Sequence, residues 1–272
     1  MPLVVVPPVR LPGFVGESTL VCVESSDPSD PACADALAEA KARGASAILV
    51  AGEGRLAEVA LELGVERLGV PRSARDARAA LGHLVAPLFV LAHELGVLPG
   101  GREAIEAAMA ATRRRRAALL GGDSPALRLA RAVDGSFPLV LGAAGPGAVA
   151  ARRLATAVRL GPKVLALAAC SPDLERDWVS AFGQAGDVTR QLLVAVELLT
   201  SFDPPRDVRL AELLDEVVAA RERVEAQGDG RLAQLLDLVL VGDVAALELA
   251  AAAGVDPGPA PAVGEVAPPR PA

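Results

Sequence analysis

Short apolar runs alternate with helical segments along most of this chain, and that alternation constrains the fold more than any other feature. In the first half the helices are predicted at residues 32–44 and 54–64. Short strands, buried on both faces, are predicted on either side of them, at residues 3–6, 19–23, 47–52 and 67–70. Because parallel strands need helical crossovers of one hand, this order predicts an α/β fold with parallel sheets flanked by helices.

The same order restarts at Phe137. A strand there runs into a glycine-rich turn at residues 143–147, and a helix follows as far as Leu160. Glycines in such a turn allow the backbone to approach a ligand, and the free N–H groups of the helix suit an anion. The alternative is that these glycines only allow the chain to reverse direction between the strand and the helix. The remaining predictions are strands at residues 163–169 and 224–228, an apolar run at 191–200, and helices at 208–222 and 231–253.

Helices also fill the middle of the chain. Residues 76–95 predict a long helix, apolar on most sides, which another subunit or the second half of the chain would cover. Two further helices are predicted at 102–120 and 124–133, and the four arginines 113–116 on the first of them suit either a phosphate or a solvated face. The predicted organisation is a partial N-terminal domain, a helical linker, a C-terminal domain and a disordered proline-rich tail, at residues 1–98, 99–135, 136–255 and 256–272.

Composition excludes several classes of function. A net charge of −7 and an aromatic content of 2% disfavour binding to nucleic acid. Cys22, Cys33 and Cys170 lack metal-ligand spacing, which predicts buried free thiols in a reducing cytoplasm and no metal site. The N-terminus has no basic leader, and no apolar window reaches the ~18 residues that a membrane span needs. A cytoplasmic protein is therefore expected.

Several stretches resemble the sugar isomerase (SIS) family as it occurs in bifunctional phosphoglucose/phosphomannose isomerases. In the first half they are LPGFVGESTLVCVESSDPSDP, ARGASAILVAGEGRLAEVALELGV and ARAALGHLVAPLFVLAHELGVLPG. In the second half VAARRLATAVRLGPKV, SPDLERD and GRLAQLLDLVLVGDVAALELAAAAGVDP resemble the family's second SIS domain. The resemblance implies two flavodoxin-like SIS domains, the first truncated because Met1 stands where the family has already reached a later strand. It also implies aldose–ketose isomerisation of a hexose 6-phosphate, a homodimer, and no cofactor.

The resemblance assigns candidate binding residues. The family's phosphate loop, written like SYSGNTEET, is ESSDPSDPA here, so Ser26 and Ser29 fall on hydroxyl positions and are candidates for binding phosphate. Asp27 stands where the family has glycine, and Pro28 where it has asparagine. A carboxylate at Asp27 would repel a phosphate dianion unless it points away. Capping of the next helix is the alternative role for the two serines.

It also assigns catalytic candidates. Arg78 matches the arginine before the long helix, and Lys163 matches the lysine of NENAK, which reads RLGPK here. Leu160 then occupies the position of the glutamate base, and Arg176 occupies the position of the histidine in the segment PDLERD. Leucine cannot transfer a proton and arginine stays charged. A salt bridge is the alternative for Arg78, and a snorkelling side chain is the alternative for Lys163.

Two function hypotheses remain open. The first is an active sugar-phosphate isomerase in which Arg78 and Lys163 act with an acid from Glu24, Asp173 or Asp177. The second is a catalytically silent SIS protein that binds a sugar phosphate, or acts as a structural or regulatory partner. The fold supports both equally, because a fold does not fix a function.

Overall fold

The computed structural model describes residues 2–7, 10–71, 80–98, 100–178, 180, 186–204 and 208–258. Contacts between residues divide the chain into two compact units, Met1–Arg102 and Glu103–Ala272. The four segments predicted from the sequence, with their three boundaries, stay a prediction.

The first unit contains a three-stranded parallel sheet in the order β1-β2-β3. Its strands are β1 (Leu20–Glu24), β2 (Ser46–Ala51) and β3 (Glu66–Gly69), and its helices are α1 (Pro31–Ala42), α2 (Arg55–Glu62) and α3 (Leu81–Glu94). Successive side chains of a strand point to opposite faces of its sheet. Accordingly Leu49 packs in the core formed with α1 and α2, while Val50 packs with Leu84 of α3. Helices therefore cover both faces.

The second unit contains a four-stranded parallel sheet in the order β5-β4-β6-β7. Its strands are β4 (Phe137–Gly142), β5 (Leu167–Cys170), β6 (Leu193–Leu199) and β7 (Ala220–Glu225). The helices of this half are α4 (Gly101–Leu119), α5 (Pro125–Val133), α6 (Pro146–Leu160), α7 (Gly186–Leu192), α8 (Val208–Val217) and α9 (Gly230–Ala252), and Leu174–Trp178 forms a π-helical turn.

The central strands of this sheet are buried on both faces. Val140 and Val196 pack in one core with α5, α6 and α9. Leu141 and Ala195 pack in the other with Leu214 of α8. The predicted α/β class, with parallel sheets between helices, is confirmed.

Three predictions about elements were wrong. Residues 3–6 form no strand: Leu3, Val4, Val5 and Val6 are between 40% and 90% exposed. Proline on either side of them lacks a backbone N–H, and no strand in the described part of the chain pairs with them. Helix α8 ends at Val217 rather than near Glu222, because Ala220–Glu225 pairs with β6 as a strand. Strand β5 begins at Leu167, after Lys163.

Burial of the cysteines was predicted correctly for two of the three. Cys33 and Cys170 are buried, but Cys22 is exposed. Val21 and Val23 face the core that contains α1, so Cys22 points to the opposite side of β1. Of the long predicted helix, residues 76–79 lie outside the described residues. No helix that the structure describes is both long and apolar enough to cross a membrane.

Candidate functional site

Ligands of open parallel α/β sheets bind beyond the carboxyl ends of the strands. In the first unit that edge carries the loop of residues 25–30 after β1 and the turn of residues 52–54 after β2. The two are in direct contact, because the N–H of Leu56 donates to the carbonyl of Pro28 at 2.8 Å. A Cβ atom on Gly54 would lie 2.8 Å from Cβ of Pro28, so this contact requires glycine.

Carboxylates of the loop hold its own N–H groups. Oδ1 of Asp27 accepts the N–H of Ser29 at 2.9 Å, and Oδ1 of Asp30 accepts the N–H of Ala32 at 2.9 Å. Asp30 is therefore the residue that caps α1, and neither Ser26 nor Ser29 does so. Two N–H groups that a phosphate could use near the start of α1 are therefore already bonded to carboxylates of the loop.

Ser26 and Ser29 are both exposed on this loop. Within the described residues neither hydroxyl takes part in a hydrogen bond, so both are available to a ligand. The neighbouring Cys33 is not a nucleophile, because burial first, and then Asp30, raise the pKa of its thiol to about 11. The chemical groups that this loop offers are two hydroxyls beside two carboxylates.

The turn between β4 and α6 in the second unit is explained by its own packing. A Cβ atom on Gly142 would lie 2.2 Å from the carbonyl oxygen of Gly147, and Gly145 has a φ of 89°. The backbone at Gly142 approaches the first turn of α6 itself. Gly142 and Gly145, two of the three glycines that suggested an anion site, are thus required by the reversal of the chain.

Lys163 lies between the end of α6 and the start of β5, in the left-handed region with a φ of 62°. Its ammonium group donates to the carbonyl of Leu160, and to the carbonyl of Gly258 at 2.9 Å. The carbonyls at the end of a helix carry partial negative charge and suit a cation. This contact links the end of α6 to the segment after α9.

The residues matched to catalytic positions do not gather on one side of β5. Leu160 and Lys163 precede the strand, whereas Arg176 lies in the π-helical turn that follows it. The four residues of β5 span about 13 Å at ~3.3 Å per residue. Arg176, Asp173 and Asp177 are exposed. Arg78 lies outside the described residues.

Glu197 is not among the residues that the sequence predicts to be functional. It lies in the middle of β6, is 0% exposed, and accepts a hydrogen bond from Nε of Arg223 on β7 at 2.8 Å. A glutamate inside the apolar run QLLVAVELLT was the available signal, because charged side chains are almost never fully buried without a partner.

Polar side chains beyond β6 bond to one another. Thr200 donates its hydroxyl to Oδ1 of Asp203 at 2.6 Å, and Oε1 of Gln234 accepts the N–H of Ser201 at 2.9 Å. Nε2 of Gln234 also donates to the hydroxyl of Ser201 at 2.8 Å. These bonds fix the loop after β6 against the start of α9.

Residues of the apolar core line a small cavity in the second unit. One cavity of about 10 Å³ is lined by apolar residues of the core, among them Leu129, Leu154 and Leu249. Its volume corresponds to about one water molecule. No group of three or more His, Cys, Asp or Glu residues within the described ranges is placed to hold a metal ion.

Comparisons with known proteins agree on one family. The model of the bacterial phospho-glucose isomerase C-terminal SIS domain matches residues 122–266, which is more than half of the chain. A bifunctional phosphoglucose/phosphomannose isomerase from Caldicellulosiruptor bescii is 26% identical over 270 residues, covering 95% of this chain and 78% of the relative.

Solved structures show the same fold. A glucose-6-phosphate isomerase like protein from Thermus thermophilus superposes with a TM-score of 0.64 at 23% identity, covering 91% of this chain and 79% of that one. The tagatose-6-phosphate ketose/aldose isomerase from Escherichia coli gives a TM-score of 0.64 at 14% identity, covering 90% and 71%.

Proposed function

Because the chain belongs to the family of bacterial phosphoglucose isomerase C-terminal SIS domains, we propose that it binds a hexose 6-phosphate without isomerising it. The observation that carries the proposal is the pair of residues at the family's catalytic positions, Leu160 and Arg176. Moving a proton between two sugar carbons requires a base, and opening the ring requires an acid or base. Neither side chain supplies such a group near neutral pH.

The contacts of Lys163 favour a structural role for this residue. The ammonium group donates to two backbone carbonyls, those of Leu160 and Gly258. Neither acceptor is a side chain that could exchange protons with a sugar. An ammonium group held in this way stabilises the end of a helix. The lysine therefore fits the silent hypothesis better than the active one.

Binding of the phosphate is assigned to the hydroxyls of Ser26 and Ser29, with Arg78 as the proposed cation. The hydroxyls are exposed at the carboxyl edge of the first sheet, where ligands of this class of fold bind. Asp27 weakens the site, because its carboxylate lies in the same loop and repels a dianion. The expected affinity is accordingly low, with a Kd on the order of 1 mM, which corresponds to about −4 kcal/mol.

Thermal unfolding in the presence of glucose, mannose and fructose 6-phosphates tests the proposal. A ligand that binds only the folded state raises the melting temperature as its concentration passes Kd. Inorganic phosphate and unphosphorylated fructose separate recognition of the phosphate from recognition of the sugar. Stabilisation by a hexose 6-phosphate beyond that of both controls supports the proposal.

Variants of the loop locate the site. Ser26→Ala combined with Ser29→Ala should abolish the stabilisation, whereas Asp27→Asn should tighten binding about threefold by removing one nearby negative charge. Ser46→Ala, at the opposite end of β2, is the matched control and should leave binding unchanged. No stabilisation at millimolar ligand would contradict sugar-phosphate binding and leave the role of a structural or regulatory partner. A homodimer stays a prediction of the family resemblance.

A further inference from the structure

Helix α4 carries three exposed arginines whose charges are not paired within the described chain. Arg113, Arg114 and Arg116 are exposed, and none of them forms an ion pair or a hydrogen bond with another described residue. No acidic residue stands three or four positions from Arg113 or Arg116, the spacing at which helical side chains meet. These two arginines are themselves three positions apart, and like charges on neighbouring turns destabilise a helix. An anion from outside would therefore stabilise this cluster.

The remaining arginine of the run, Arg115, fixes which side of α4 faces outward. It forms the buried ion pair with Asp237 of α9. A Cβ atom on Gly228 would lie 3.7 Å from Cβ of Ala111, so α4 also lies against the loop before α9. At about 100° per residue, Arg113 lies about 160° around the helix from Arg115. Arg113 therefore points away from α9.

Two apolar side chains extend the exposed charge into a stripe along α4. Met109 is 45% exposed, and Leu120, which directly follows the helix, is 74% exposed. The arginine stripe consists of Met109, Arg113, Arg116 and Leu120. Because these residues are four, three and four positions apart, they lie within about 60° of one another around the helix. The stripe is about 16 Å long at ~1.5 Å per residue, with apolar ends and a cationic centre.

We propose that the arginine stripe binds an acidic amphipathic helix of a partner protein. Two carboxylates of the partner, three or four residues apart, pair with Arg113 and Arg116. An apolar side chain at each end of the partner helix covers Met109 or Leu120 and removes it from water. A helix of about 11 residues matches the length of the stripe.

The apolar ends of the stripe favour this partner over other anions. A single phosphate on the convex side of a helix would leave Met109 and Leu120 exposed to water. Nucleic acid has no apolar group at this spacing, and the net charge of −7 repels it. A second copy of this chain that docked by the same stripe would bring Arg113 against Arg116, because a two-fold contact uses the same surface on both copies.

Fluorescence anisotropy of a labelled synthetic helix tests the proposal. The probe peptide has two glutamates three residues apart at its centre and a leucine four residues beyond each of them, and a second peptide has lysine in place of both glutamates. Only the glutamate peptide should bind, with a Kd on the order of 100 µM, because a contact of three helical turns is small. Binding should weaken as salt rises, since salt screens exposed charges. No binding of the glutamate peptide at millimolar concentration, or equal binding of both peptides, would overturn the inference.

Reversal of charge locates the binding surface. Arg113→Glu combined with Arg116→Glu should raise Kd for the glutamate peptide about tenfold and should create binding of the lysine peptide. Arg131→Glu combined with Arg152→Glu is the matched control, because both side chains are exposed and the net charge changes by the same amount. This control should change Kd less than about twofold. Equal losses of binding in the two double variants would show that net charge attracts the peptide, and would overturn the assignment to the stripe.

The apolar ends are tested with both arginines in place. Met109→Ser combined with Leu120→Ser should weaken binding of the glutamate peptide about fivefold, and inorganic polyphosphate should displace the peptide poorly. Unchanged binding by this variant, or ready displacement by polyphosphate, would show a surface for any polyanion and contradict the proposed partner. Circular dichroism confirms that each variant is folded before binding is measured. These measurements need no sugar phosphate, so their outcome is independent of the proposed function.

Discussion

At the scale of single residues, the sheet of the second unit buries a charged side chain, the carboxylate of Glu197 on β6. Glu197 is 0% exposed, while the side chain of its partner Arg223 is 54% exposed. A carboxylate in such a position is tolerated when a cation and hydrogen bonds compensate the loss of water. The sequence alone shows an apolar run here, but it does not identify Arg223, 26 residues further along the chain, as a partner of Glu197.

Removal of the guanidinium group tests this dependence. Arg223→Ala should lower the free energy of unfolding by about 3 kcal/mol, because it removes a cation that donates a hydrogen bond to the buried carboxylate of Glu197. Arg128→Ala is the matched control in the same unit, since Arg128 and its partner Asp123 are 52% and 83% exposed, and it should cost less than about 1 kcal/mol. Urea denaturation measures both variants. Equal effects of the two would show that Glu197 does not depend on Arg223.

At the scale of elements, the turn between β4 and α6 holds the strand and helix in close contact. The sequence predicts this turn correctly from its glycines, but it does not distinguish a ligand from the chain's own backbone as the neighbour of Gly142. The local sequence also does not show which segments become neighbours in the fold, and this explains why the end of α8 was predicted wrongly. ARERVE is compatible with a helix by propensity, and only its pairing with β6 makes it a strand.

Gly142→Ala should be strongly destabilising for this reason. The added Cβ would lie 2.2 Å from the carbonyl oxygen of Gly147, which belongs to the backbone and cannot move aside freely. We expect a loss of about 3 kcal/mol in the free energy of unfolding. Gly122→Ala, where nothing lies within 4 Å of the new atom, should be close to neutral. Circular dichroism during urea denaturation compares the two, and a tolerated Gly142→Ala would contradict the close approach.

Contact between α4 and α9 gives the protein a stability that depends on pH. Asp237 of α9 forms an ion pair with Arg115 of α4, with side chains that are 4% and 11% exposed. Burial raises the pKa of the Asp237 carboxyl, although the N–H of Gln227 and the charge of Arg115 act in the opposite direction. The folded state therefore binds this proton more tightly than the unfolded state does.

The stabilising contribution of a raised carboxyl pKa is complete below the unfolded value of about 3.9 and is lost as pH rises through the folded value. The wild type should consequently lose stability relative to Asp237→Asn as pH rises from about 4 to 7. Urea denaturation of both proteins across this pH range gives the difference between their free energies of unfolding. The contributions of the other carboxyl groups cancel in this difference because both proteins share them. A difference that stays constant, or that grows with pH in favour of the wild type, would contradict the assignment.

At the scale of the whole molecule, the order of strands and helices could be predicted because short stretches of sequence determine each element. These stretches are apolar runs of the right length and the turn residues between them. The candidate site could be predicted only in part. Asp30, rather than Ser26 or Ser29, caps α1, and Lys163 bonds to Gly258, a residue 95 positions away. Contacts over such separations are set by the packing of complete units.

The proposed SIS protein, in which the family resemblance matches Leu160 and Arg176 to catalytic positions, should bind a hexose 6-phosphate without catalysing proton transfer. Incubation of the protein with fructose 6-phosphate in D₂O, followed by NMR, tests it most directly, because even a reversible proton transfer would exchange a sugar C–H for C–D. The expected result is no deuterium in the sugar and no glucose or mannose 6-phosphate above a protein-free blank. Deuterium exchange or turnover by the wild type that Lys163→Ala abolishes would contradict the claim.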